Sequence, residues 1–127
     1  MPSILNPNSG PSRGRMSDQG VLIDAAKEGF TPLTSGVPFV TRSVLGTNES
    51  TGFTLNIRCD VNGNFVIRGL TLHGDIYTLQ ASTAYTASNG TVFVNFSRFI
   101  LEAYVEFTPS STSNDLYIEA FAYGRGY

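Results

Sequence analysis

The sequence predicts an all-β body, of β-sandwich or jelly-roll type, carrying an extended N-terminal arm. Three observations carry that expectation. Apolar and polar residues alternate with period two through most of the chain after residue 36, turn-forming Asn, Gly, Ser and Pro interrupt the alternation, and only residues 21–30 suit a helix. Seven or eight short strands spaced by turns about 8 to 12 residues apart fit a sandwich, jelly roll or closed barrel.

The arm comprises residues 1–20, MPSILNPNSGPSRGRMSDQG, in which Pro2, Pro7 and Pro11 are interleaved with Asn, Ser and Gly. Each proline removes a backbone donor and fixes φ, and the neighbouring residues favour turns, so neither helix nor strand is expected there. Ile4, Leu5 and Met16 are its only candidates for burial, too few to offset the ordering entropy of such a segment. The arm is therefore expected to order against a partner.

Residues 21–127 read as a single β domain. In VLIDAAKEGF, Asp24 can cap a short helical turn over residues 24–28, which Gly29 ends. Residues 31–38 carry two prolines and a glycine and read as a loop leading into a strand over 39–45. From 53 to 61, Phe53, Leu55, Ile57, Cys59 and Val61 share one face, while Thr54, Asn56, Arg58 and Asp60 share the other. Asn62-Gly63 suits a type I′ turn, which predicts a hairpin returning over 64–70.

Residues 71–81 read as a further strand, kinked at Gly74 and extended or followed by 82–86, and Ser88-Asn89-Gly90 as a turn. The run 91–107 is too long for one strand, so a break is expected near 97–99. Beyond it, Ala103, Val105 and Phe107 face one way and Glu102, Tyr104 and Glu106 the other. A polar loop, TPSSTSND, precedes a last strand with Leu116, Ile118, Ala120 and Ala122 on one face and Tyr117, Glu119, Phe121 and Tyr123 on the other.

Charge is sparse: 14% of residues are Asp, Glu, Lys or Arg, against about 25% in ordinary soluble domains, and the formal net charge is −2. With Lys27 the only lysine, there is no basic field to hold a phosphate backbone, and direct nucleic-acid binding is not expected. Arg13 and Arg15 in the arm could touch nucleic acid, but are read first as partners for acidic groups on another protein or as solvated. Cys59 is the single cysteine, which rules out an intrachain disulfide and suits synthesis in the cytoplasm. No apolar run approaches the ~18 residues of a membrane helix, and no membrane partner is expected. The sequons at Asn48, Asn89 and Asn95 read as accidents of an Asn- and Ser-rich composition.

Catalytic residues are not expected. His73 is the only histidine; Asp75, two residues on, would share its strand face and permit a formal triad, but no nucleophile elbow accompanies them. One Cys and one His do not make a zinc site, and Cys59 reads as core. Asp60-Val-Asn62-Gly-Asn64 starts like a calcium loop, but its glycine is displaced and no closing Glu follows, so neither metal nor cofactor is expected. Glu102 and Glu106 share a strand face and read as solvated.

The aromatics at outward strand positions, Tyr104, Tyr117, Phe121 and Tyr123, are expected to form a subunit interface, because large apolar groups at a surface usually mark one. The combination of a Pro/Asn/Ser/Arg arm over 1–20 with a compact Ser/Thr/Asn-rich β-body resembles the head decoration, or cement, proteins of tailed bacteriophages. That resemblance implies a symmetric oligomer, a homotrimer foremost, on the outer capsid surface of the virion, bound to the major capsid protein and stabilising the capsid mechanically. Ile4, Leu5, Arg13 and Arg15 would be the capsid contacts. A second reading is a carbohydrate- or receptor-binding module, such as a tail-fibre tip, using Tyr117, Tyr123 and Tyr127. A third, a coat subunit enclosing nucleic acid, conflicts with the scarcity of basic residues.

Overall fold

The computed structural model describes residues 20–45 and 50–124. The chain is all-β and forms two antiparallel sheets. Its strands are β1 (Val21–Asp24), β2 (Phe39–Val40), β3 (Val44–Leu45), β4 (Ser50–Cys59), β5 (Gly63–Leu70), β6 (Ile76–Tyr85), β7 (Val92–Phe96), β8 (Glu102–Pro109) and β9 (Leu116–Gly124). The first sheet has the order β1-β9-β4-β7. In the second, β8 lies between β5 and an interrupted edge made of β2 and then β3, and β6 lies beyond β5.

The period-two pattern determines which side chains meet between the sheets. Phe53, Leu55, Ile57 and Cys59 of β4 and Leu116, Ile118 and Ala120 of β9 point inward from the first sheet. They meet Phe65 and Ile67 of β5 and Ala103, Val105 and Phe107 of β8 in one cluster. The expected alternation on β4, β8 and β9 is present at the side chains described, and the long run from 91 divides into β7 and β8 across residues 97–101.

Four expectations are corrected. Residues 21–30 begin as a strand, because Val21, Leu22 and Ile23 pair with β9 and Ile23 packs into the core. The helical turn follows that strand: Asp24 Oδ1 accepts the N–H groups of Ala26 and Lys27, each at 3.2 Å, and the Asp24 carbonyl accepts the Glu28 N–H at 3.0 Å. Tertiary pairing overrides local propensity over Val21–Asp24, and the turn capped by Asp24 lies at the residues expected of it.

The larger correction concerns Asn62-Gly63. β4 and β5 do not pair; β4 lies between β9 and β7, and β5 between β8 and β6, so the corner carries the chain from one sheet to the other. Gly63 is required there for close approach, since a Cβ would run into the Thr108 carbonyl and the Phe107 ring. The hairpin between successive strands is instead β5–β6, closed over 71–75, so the expected strand beginning at residue 71 is a turn until Ile76. In that turn the Thr71 N–H donates to the Asp75 carbonyl at 3.0 Å, and Gly74 adopts φ +87°.

The strand expected over 39–45 is split at Thr41. Its hydroxyl accepts the Val105 N–H at 3.1 Å while its own N–H donates to the Val105 carbonyl at 2.9 Å, so a side chain stands in the β8 ladder.

Tyr85, at the end of β6, ties the crossovers together. Its ring meets Phe107 edge-on at 5.8 Å, and its buried hydroxyl donates to the Gly90 carbonyl at 2.7 Å while accepting the Cys59 N–H at 3.0 Å. Tyr85→Phe keeps the ring and strands both backbone groups, so we expect a loss of about 2 kcal/mol. Urea unfolding checks this: the midpoint falls and the slope stays unchanged.

Candidate functional site

The outer face of the first sheet presents two cross-strand rows. Asp24, Tyr117 and Arg58 lie side by side on β1, β9 and β4, and the next row is Leu22, Glu119, Asn56 and Phe93 across β1, β9, β4 and β7. Beside these rows lies a concavity of about 580 Å³, to which Leu22, Asn56, Arg58, Asp115, Tyr117 and Glu119 contribute. Its volume falls within the range of small-molecule sites, roughly 300–1,000 Å³.

Donors and acceptors converge there. Asn56 Nδ2 donates to Glu119 Oε1 at 3.2 Å, while the Asn56 Oδ1 atom is buried without a hydrogen-bond partner among the described residues. The Asp115 and Asp24 carboxylates push the Tyr117 phenol above its ordinary value against the opposing pull of Arg58, so the exposed hydroxyl stays protonated as a donor. Leu22 and Phe93, 52% and 66% exposed, add apolar surface to the second row.

A hydrogen-bonded knot at the end of β4 holds the concavity's floor. Asp60 Oδ1 accepts the Ser113 hydroxyl at 2.6 Å and Oδ2 accepts the Asn114 N–H at 3.1 Å. Since Ser113 spends its proton on Asp60, the Cys59 thiol donates to the Ser113 oxygen at 3.3 Å. Burial pushes that thiol up, which keeps it uncharged and core-like, as expected. Burial also pushes Asp60 up, but the hydrogen bonds from Ser113, Asn114 and Asp115 outweigh it and hold the carboxyl below its usual range.

The same contacts account for the stretch that begins like a calcium loop. Asp60 is engaged with Ser113 and Asn114, and Asn62 Oδ1 accepts the Ala87 N–H at 2.8 Å, so a sheet-to-sheet crossover, and not a hairpin, explains these residues. Among the described residues no group of three or more His, Cys, Asp or Glu is placed to hold a metal.

The other residues singled out from the sequence are scattered. His73 and Asp75 sit in the exposed β5–β6 turn and not on a strand face. Glu106, expected to be solvated, accepts Arg68 Nη2 at 3.1 Å on the outer face of the second sheet. Tyr104 lies on that same face, opposite Arg68, whereas Tyr117 and Phe121 lie on the outer face of the first sheet. The expected interface residues therefore do not form one patch. Phe121 is half-buried with its ring over Gly20, where the described chain begins. Ile4, Leu5, Arg13, Arg15 and Tyr127 lie outside the described residues, as does the side chain of Tyr123.

Asn56, Arg58, Asp115 and Glu119 were not singled out from the sequence. Alternation alone places Asn56 and Arg58 on one outward face and Glu119 on another, but nothing in it pairs β4 with β9. Comparison with protein-family models, with curated proteins and with solved structures gives no significant match.

The Asp60 knot carries a pH signature. Because its folded carboxyl titrates below the unfolded one, its contribution is present above the unfolded value, near pH 4, and is lost as pH falls through the folded value. Asp60→Asn should cost about 1 kcal/mol at pH 7, given its exposure, and the gap to the parent should close at lower pH. Urea midpoints of both proteins between pH 7 and pH 3 test this.

Proposed function

We propose that the chain is a structural subunit of a virion surface, an oligomeric jelly-roll body that decorates and stabilises a capsid while its N-terminal arm grips the major capsid protein. The strand order supports the jelly-roll reading. Counting β2 and β3 as one line, the chain visits the first and second sheets in the sequence one, two, one, two, two, one, two, one, the order that two interlocked Greek keys would give.

The observation that carries self-association is the outer face of the second sheet. There Val40 and Val66 flank Glu106, and Leu70 and Ile76 lie side by side, with Tyr104 opposite Arg68. Val40 and Ile76 are 53% and 59% exposed, and of the charged groups on this face Arg68 and Glu106 neutralise each other while Glu102 lies opposite Leu70. A largely apolar surface with most of its charge internally paired costs less to desolvate than an openly charged one, as at the core of a subunit interface. This shifts the proposed interface to Tyr104 and its neighbours and leaves Tyr117 to the concavity.

Attachment is assigned to the arm, with Ile4, Leu5, Arg13 and Arg15 as its contacts. Many weak contacts repeated by symmetry would supply avidity without chemistry, as mechanical stabilisation requires. Outer-capsid placement and a homotrimer belong to the same proposal.

Native mass measurement of the full chain should give an oligomer, with the trimer foremost, and a monomer at all concentrations would overturn the reading. Val40→Lys combined with Ile76→Lys should yield a folded monomer. Deleting residues 1–19 should leave the oligomer intact and abolish sedimentation with capsids; undiminished binding would remove the arm from the proposal.

A further inference from the structure

The concavity on the first sheet lies on the face opposite the proposed subunit interface, so assembly would leave it open. We propose that it binds one uncharged saccharide unit, held between the Tyr117 ring and the hydrogen-bonding groups of Asn56, Arg58, Asp115 and Glu119.

The chemistry of the lining selects the ligand class. A sugar ring offers an apolar face and a rim of hydroxyl groups, each of which both donates and accepts. The site answers with a half-buried tyrosine ring and the exposed Leu22 side chain, and with donors on Arg58 and Tyr117 beside acceptors on Asp115 and Glu119. Asn56 Nδ2, which gives one hydrogen to Glu119 Oε1 at 3.2 Å, has a second for a ligand hydroxyl.

Charge narrows the choice further. The carboxylates of Asp60, Asp115 and Glu119 line the concavity with only the Arg58 guanidinium opposing them, a balance that repels sialylated or sulfated sugars. Anionic nucleotides and phosphates are disfavoured for the same reason. The mixed polar lining likewise disfavours a lipid tail.

The test uses the full chain on an array of neutral, sialylated and sulfated oligosaccharides, displayed at high density because single-sugar contacts are weak. Hits are then titrated in solution as free oligosaccharides by NMR. The proposal expects binding to neutral glycans, shifts centred on Asn56 and Tyr117 amides, and at least a tenfold loss in Tyr117→Ala. Asn56→Asp, which adds a charge beside Glu119, should weaken binding as well. Tyr117→Ala removes an outward side chain, and an unchanged thermal melt confirms that its fold is intact. The proposal is overturned if no neutral glycan binds, if charged glycans are preferred, or if Tyr117→Ala binds as well as the parent. None of these outcomes bears on oligomeric state or on capsid attachment.

Discussion

Every time the chain crosses from one sheet to the other it leaves a ladder, and the backbone groups freed at that point need new partners. The structure depends on how one end of the sandwich meets this constraint. The corner after β4, the connection from β6 to β7 and the loop from β8 to β9 converge there. Asp60 N–H donates to Asp115 carbonyl, Ser110 N–H to Asn62 carbonyl and Ala87 N–H to Asn62 Oδ1, while Tyr85 spans Cys59 and Gly90. The loop after β1 joins through the reciprocal bridge between Leu33 and Ser113. Segments more than fifty residues apart are thereby held in one register.

That convergence also positions the concavity. Asp60 and Asp115 stand at its margin because their backbones belong to the knot, and Arg58 and Tyr117 are the last outward residues of β4 and β9 before it. The two outer faces of the sandwich differ in character. The first sheet shows a polar hollow edged by aromatic and aliphatic groups; the second shows valine, leucine, isoleucine and tyrosine around one internal ion pair, with Glu102 beside Leu70. A body with two dissimilar faces suits a subunit that associates through one and remains open on the other.

The corner at residues 62–63 shows where sequence reading fails. Asn-Gly is a strong local signal for a hairpin, yet Asn62 spends its side chain on Ala87 and Gly63 is selected for the space that Thr108 and Phe107 deny a Cβ. Close approach and positive φ both select glycine, and only the neighbouring strands distinguish them. The aromatic positions mislead in a related way. Tyr104, Tyr117 and Phe121 were correctly placed on outward strand positions, but that alternation says nothing about which sheet a strand joins. Glu106 looked solvated because Arg68 is remote in sequence.

What the sequence by itself determined is local: the all-β class, the turns near Gly90 and Ser110, the break before β8, and which residues of β4, β8 and β9 face the core. These follow from side-chain periodicity and backbone preference, which act over a few residues. Tertiary structure alone decided that β4 pairs with β9 and β7, that β1 is a strand, and that Asn56, Arg58, Tyr117 and Glu119 share one hollow. Those outcomes depend on pairing between distant strands, where the shared core and the need to satisfy freed backbone groups select one register among many locally equivalent ones.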